Sequence, residues 1–253
     1  MRVNAWANCA HLQLQPLEFH PPNSIFIMSL HGQAFLGIWH GIKPGHERDY
    51  DDWHTYEHMP ERAGVPGFNR ARRYMNWDLE QVSFTMYEGA HHETFRSPTY
   101  LARLNDPTEG TKRISGYQTH FLRGAFEVQG SLGAGIGGAL GTFRLRLASG
   151  DRPSLVQALS HVGLDVTQLH GVVGVHLGVA QRDITSVKTS EMDARGSSAA
   201  ENELDAVLLV ETIGFDEIKG LVDQVTQMLS INGVEAVDAA PYHLAYLLPG
   251  ASQ

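Results

Sequence analysis

Hydrophobic and polar positions along this chain change period in a fixed order. Residues 35–40 (FLGIWH) alternate with the period of a half-buried strand, and Pro44-Gly45 turns the chain. Residues 47–62 follow a helical period, residues 68–77 and 82–88 read as strands, 92–104 as a second helix and 116–128 as a fourth strand. The order is β-α-β-β-α-β. It recurs downstream, with strands at 142–147, 171–180, 204–211 and 234–248 and helices at 153–162 and 215–229. An offset of 104 aligns Val65-Pro66-Gly67-Phe68 with Leu169-His170-Gly171-Val172, so the halves read as a repeat in spite of low identity.

This pattern divides the chain into an irregular segment (1–32), a first unit (33–129), a glycine-rich linker (130–141) and a second unit (142–253). Residues 181–203, rich in Ser, Ala, Asp and Glu, read as a mobile insertion between strands. A sheet with helices on one face needs cover on the other. Two such units therefore predict an α+β protein of tandem ferredoxin-like units whose sheets cover each other, and the family resemblance carried by residues 53–74 implies that they form one intramolecular α+β barrel. The expected assembly is a monomer or a homodimer of complete barrels.

Composition narrows the function classes. A formal charge of −9 argues against nucleic acid or an anionic membrane as partner, since both need a basic surface. Cys9 is the sole cysteine, which removes disulfide frameworks and thiolate metal clusters. No run of about eighteen apolar residues is present, and the first residues lack an apolar signal core. A cytoplasmic protein with a small-molecule substrate is the expectation.

Candidate chemistry concentrates in Asp52-Trp53-His54-Thr55-Tyr56-Glu57-His58-Met59-Pro60-Glu61. Helical spacing puts His54, Glu57 and His58 on one face, with Tyr50 a turn earlier. His40, alternating with Leu36 and Ile38 on the first strand, is expected to meet them in one cleft. Seven of the fourteen histidines fall in the first unit and four in the second, whose equivalent helix lacks a Glu-His pair and whose match to His40 is Arg144. The first unit thus reads as the chemical half. Imidazoles suit proton transfer near neutrality. His58 is the first candidate for general base or acid, with His54 and His40 as partners. Glu57 would orient an imidazole, or else form a surface ion pair with Arg62 or Arg48. Trp39, Trp53, Tyr56, Phe68 and Tyr74 are the candidate walls of the pocket. Arg70 and Arg72 share a strand face with Phe68 and Tyr74, and Arg72 would hold a carboxylate or enolate.

Two formal motifs carry little. His54-Thr55-Tyr56-Glu57-His58 matches H-x-x-E-H, but a zinc peptidase needs a third ligand from a second helix. A divalent metal at His54/His58, completed by His40, His91 or His92, is the lesser alternative to a site with no metal and no redox cofactor. Gly133-Ala134-Gly135-Ile136-Gly137-Gly138 matches G-x-G-x-x-G, yet a strand comes after it where a dinucleotide site needs a helix.

The helix W-x-x-x-E-H-x-P-E (Trp53, Glu57, His58, Pro60, Glu61) is followed by Pro66-Gly67 and a basic strand, Arg72-Arg73-Tyr74. This run resembles the EthD-like branch of the dimeric α+β barrel superfamily, and the likeness extends loosely through Ser97-Pro98-Thr99-Tyr100 over residues 34–128. His54 departs from the pattern, standing where such helices commonly carry tyrosine. The resemblance implies a ferredoxin-like fold whose members include cyclases, isomerases, lyases, cofactor-free oxygenases and haem enzymes. It implies an acid–base isomerase, cyclase or lyase acting on a cyclic, aromatic-derived or polyketide-like molecule. The alternatives are a cofactor-free oxygenase of a phenolic or enolic substrate, and a non-catalytic ligand-binding or stress-associated protein.

Overall fold

The computed structural model describes residues 29–146, 152–195 and 204–250. The first half comprises β1 (Ala34–Ile42), α1 (Glu47–Trp53), a π turn (His54–His58), α2 (Met59–Ala63), β2 (Phe68–Met75) and β3 (Ser83–Gly89). A 3-10 turn (His92–Arg96), α3 (Pro98–Asn105), α4 (Glu109–Ser115) and β4 (Gln118–Leu132) complete it. The second half comprises β5 (Ala139–Arg146), α5 (Arg152–Val166), β6 (Val172–Ala180), α6 (Arg182–Thr185) and α7 (Ser190–Arg195). It ends with β7 (Ala206–Thr212), α8 (Phe215–Ile231) and β8 (Glu235–Pro249). The expected element order is present. The linker is shorter than the pattern suggests, because β4 continues to Leu132 and β5 begins at Ala139. Gly67 and Gly171, aligned by the 104-residue offset, both have positive φ (90° and 81°) and launch β2 and β6.

The eight strands close into one barrel in the order β1-β3-β2-β8-β5-β7-β6-β4. Two 15-residue strands make closure possible within one chain. The first part of β4 pairs with β1 and its last part with β6. In the same way β8 pairs with β5 and then with β2. Both seams are backbone hydrogen-bonded, so among the described residues the barrel leaves no sheet edge to recruit another strand.

Alternation along the strands sorts side chains into three layers. Phe35, Trp39, Tyr74, Phe84, Phe126, Leu209 and Tyr242 fill the barrel interior. Phe143, Leu145, Leu177 and Leu208 belong to the layer where the second sheet meets α5 and α8. Leu36, Ala71 and Tyr87 face Met59, Ala63, Phe95 and Tyr100 on the helical side of the first sheet.

One end of the barrel, where β1 and β5 begin, is closed by a buried ionic network. Arg72 donates to Glu88 (2.8 Å), to the Tyr74 hydroxyl (2.9 Å) and to Glu211 (2.6 Å), which lies on the opposite sheet. Arg70 adds two bonds to Glu88, and the Gly137 N–H donates to Glu211 at 2.7 Å. His176 lies 3.0 Å from Glu211 and 2.8 Å from the Ser131 hydroxyl. Glu88 and Glu211 are each the penultimate residue of their strands, and Arg72 and His176 each the fifth of theirs. The network thus sets Arg72 with Glu88 and His176 with Glu211 at matching positions of the two halves, joined across the barrel by the Arg72–Glu211 pair.

Three expectations need correction. First, the segment expected to lie outside the fold includes residues 29–32, which take part in it. Leu30 is buried in the barrel core, the Ser29 carbonyl accepts from Arg70, and the His31 N–H donates to Glu88 at 2.6 Å. The rest of that segment lies outside the described residues. Second, Ala34 stands opposite Gly89 and Ala139 opposite Thr212, so register matches His40 with Leu145 and Trp39 with Arg144. Third, the insertion after β6 is not simply loose: α6 and α7 pack across the helical side of the first unit. Residues 196–203 lie outside the described residues.

Candidate active site

Helix α1 widens at its end into the π turn, where the Met59 N–H bonds the His54 carbonyl five residues back. One extra residue per turn rotates the neighbours of His54 and His58 and leaves both imidazoles facing the first sheet. Such π bulges are often found at functional sites. Their rings stack at 5.7 Å, with the Trp53 indole 4.3 Å from His58. Tyr50 lies between His54 (5.1 Å) and His40 (5.0 Å), and its hydroxyl bonds Ser83 at 2.8 Å. The three histidines predicted from the sequence therefore share one aromatic cleft between the sheet and the helices. All three are buried.

Electrostatics keep them neutral. Burial lowers the His40 imidazole to about 4, with Arg195 and Arg73 adding to the effect against a bond to the Gly41 carbonyl. Burial first, then His58 and Arg73, pushes His54 well below its ordinary value; burial, Arg62 and Arg195 do the same to His58. The carbonyl of Gly41, 3.0 Å from His40 Nδ1, can only accept, so Nδ1 carries the proton and Nε2 the lone pair. His54 Nδ1, His58 Nδ1, Trp53 Nε1 and the Tyr87 hydroxyl are buried without a hydrogen-bond partner among the described residues. Four such atoms in one cleft call for an explanation, since buried polar groups are ordinarily satisfied.

The cleft is covered by α7. Glu191 pairs with Arg62 of α2 and, at 2.7 Å, with Arg195, whose guanidinium lies 4.1 Å above the Phe121 ring. Beneath this cover His58, Arg62, Tyr87, Tyr100, Phe121 and Arg195 line a space of about 20 Å³. A space that small holds little more than one water.

The remaining predicted residues divide sharply. Trp53 is in the cleft. Tyr56 is 80% exposed and takes no part. Glu57 touches no imidazole: it accepts from the Thr108 hydroxyl and sits against Gly110 at the start of α4. Its surface alternative, an ion pair with Arg62 or Arg48, is replaced by the pairs Arg62–Glu191 and Arg48–Asp52. Phe68 does not share a face with Arg72 and Tyr74, because a register shift between Phe68 and Arg70 turns it outward against Tyr87, Phe95 and Tyr100. Arg72, Tyr74 and Trp39 point into the barrel, away from the cleft. His91 faces Gln33 and His92 faces Glu93, so neither completes a metal site with His54 and His58. Among the described residues no three His, Cys, Asp or Glu side chains converge in a way that would hold a metal ion.

Sequence reasoning misses Arg62, Glu191, Arg195, Phe121 and Tyr87. It also misses the pair Glu88/Glu211, although each is the one charged residue of its strand, at an inward position, a readable sign of a buried charge.

A closed barrel with helices on the outer faces defines the class: a ferredoxin-like α+β barrel. Comparison with solved structures agrees. The chain superposes on an anthrone oxidase-like protein with a TM-score of 0.59 at 10% identity, covering 87% of this chain and 93% of that one. It superposes on a candidate monooxygenase of Fusobacterium nucleatum subsp. nucleatum ATCC 25586 (TM-score 0.51, 9% identity, 87% and 96% covered). A candidate monooxygenase of Lactobacillus acidophilus NCFM gives 0.51 at 6% identity, with 86% and 96% covered. At these identities the likeness is one of fold. No protein-family model matches the chain, and no curated protein matches its sequence. No described helix is long and apolar enough to cross a membrane.

Proposed function

We propose that this chain is a small-molecule enzyme of the EthD-like type in which a neutral imidazole of the His40/His54/His58 cleft removes a proton from an enolisable or phenolic ring. The observation that carries the reading is the grouping of three buried, neutral histidines with unsatisfied polar atoms in one cleft. A base must be unprotonated to act, and burial keeps these so. His58 is assigned the proton transfer because it lines the remaining space beside two guanidiniums, Arg62 and Arg195. Those cations favour the enolate or phenolate that proton loss creates. His54 and His40 tune and relay, with His40 offering Nε2. The space under α7 is too small for a ring, so substrate access requires α7 to move.

The fate of the carbanion separates two routes. Reprotonation at another atom gives an isomerisation, or opens a cyclisation or elimination. Reaction of the carbanion with dioxygen gives R2CH2 + O2 → R2C=O + H2O, a reading favoured by the oxidase-like and monooxygenase descriptions of the fold neighbours. Neither route calls on a metal or redox cofactor. Deuterium exchange from D2O into the methylene groups of 2-tetralone and anthrone, monitored by NMR with an oxygen electrode alongside, tests both. His58→Ala should slow exchange by about a hundredfold, the usual scale for acid–base catalysis. Exchange at the wild-type rate in that variant would remove the catalytic assignment. Metal analysis of the wild type and His54→Phe belongs with it, because a stoichiometric divalent ion lost on substitution would replace the acid–base reading with a metal centre.

A further inference from the structure

The 104-residue offset sets β6 against β2, so Val175 and Leu177 correspond to Ala71 and Arg73. Register carries the comparison on to the two long strands. Ala71 stands opposite Leu248 and Arg73 opposite Tyr246, while Val175 stands opposite Leu132 and Leu177 opposite Gly130. Gly130 therefore holds the place that Tyr246 holds in the other half. The same offset sets Gly163 of α5 against Met59 of α2. Tyr246 and Met59 pack in one cluster on the helical side of the first sheet. At the matching place in the second half there is instead a cavity of about 220 Å³, lined by both glycines.

The backbone requires glycine at neither position, because neither has a positive φ. The ladder shifts register beside Gly130, but the matching shift beside Tyr246 is made without glycine. A Cβ at Gly130 would meet nothing within 4 Å, and one at Gly163 only a Val175 methyl at 3.6 Å. Glycine weakens strands and helices alike, so neither position gains stability from it. What both glycines provide is space. Leu132, Leu159, Val175, Leu177 and Leu208 supply the walls, and among the described residues no charged side chain lines the cavity. Its one polar side chain, Ser160, donates its hydroxyl to the Val156 carbonyl at 2.7 Å. Leu164, also in the lining, is 54% exposed, so the cavity reaches solvent.

We propose that this cavity binds the ring of an uncharged aromatic molecule, which takes the place that the Tyr246 and Met59 side chains fill in the first half. An apolar cavity of about 150 Å³ takes up benzene, so this one has room for a substituted ring. A charged ligand would lose its water here and find no partner. The cavity shares no residue with the lining of the space beside His58, so the inference stands apart from the function proposed above.

Titration of the full chain with toluene, followed by methyl NMR and by melting temperature, tests it. Toluene should bind one to one, raise the melting temperature and shift the methyls of Leu132, Leu159, Val175 and Leu177. Benzoate, the same ring with a charge, should bind at least tenfold more weakly. Gly130→Tyr, which restores the residue of the first half, should weaken toluene binding by tenfold or more. If circular dichroism shows that variant unfolded, Gly163→Met should fill the space from the helix side and weaken toluene several-fold. His58→Ala should leave toluene affinity unchanged. Methyl shifts confined to other residues, equal affinity for benzoate, undiminished binding in the folded glycine variants, or loss of binding in His58→Ala would each overturn the proposal. So would a lack of saturable binding, the result expected if another segment of this chain or a second copy fills the cavity.

Discussion

Burial at His40, His54 and His58 has a consequence for stability as well as for chemistry. Their folded-state values lie below the ordinary imidazole value, so the unfolded chain binds protons more readily than the folded one. Stability is therefore full above about pH 6.5 and falls as pH drops toward the folded values, about 4 for His40. Each histidine contributes a slope of about 1.4 kcal/mol per pH unit within that window. Denaturant unfolding between pH 7 and 5 should show this loss, and His54→Phe should flatten it by one histidine's share while keeping the ring stack. An unchanged slope in that variant would mean that His54 is protonated in the folded state. The three histidines are legible in the sequence through their spacing and the face shared by Leu36, Ile38 and His40. Glu57 and Tyr56 are misplaced by the assumption of a straight helix. The π turn changes which residues face the sheet, and nothing in a hydrophobic period records it.

At the scale of elements, α7 decides whether the cleft is open. It comes from the second half of the chain yet covers the first, tied down by Glu191 between Arg62 and Arg195. Its composition reads as solvated insertion, yet Glu191 is buried against Arg62 of α2. Glu191→Gln removes the charge while keeping the shape. Amide hydrogen exchange over residues 182–195 should then rise at least tenfold, and exchange at the wild-type rate would show that packing, not the ion pair, holds α7. Breaking a buried pair on one side costs about 3–5 kcal/mol, partly because the remaining charge is stranded.

For the whole molecule, the barrel is held at one end by charge and in the middle by aromatic packing. Burial would raise the Glu211 carboxyl, but Arg72 and His176 outweigh it and hold the group at about 2. Its contribution is present above about pH 4.5 and is lost as pH falls toward 2, a window below that of the histidines. Arg72→Met should leave Glu88 and Glu211 facing each other without their bridge and lower unfolding free energy by about 3–5 kcal/mol. Because Arg72 is on β2 and Glu211 on β7, that loss should appear in one cooperative transition. Two separate transitions would show that the halves unfold independently.

The sequence by itself determined the element order, the α+β class and the grouping of histidines in the first unit. Those features come from period, turn residues and local composition, which act over a few residues. The tertiary structure alone decided the register that makes Leu145, not Arg144, the second half's counterpart of His40, the bulge that separates Phe68 from Arg72, and the strand seams that close the barrel. It also decided that Arg72, Tyr74 and Trp39 serve the lumen while His54 and His58 face the helical side. These outcomes depend on partners more than a hundred residues apart, such as Arg72 with Glu211 and Arg62 with Glu191. A carboxylate in a strand and an arginine in a helix each look solvated until the fold removes their water, and only then does each require the other.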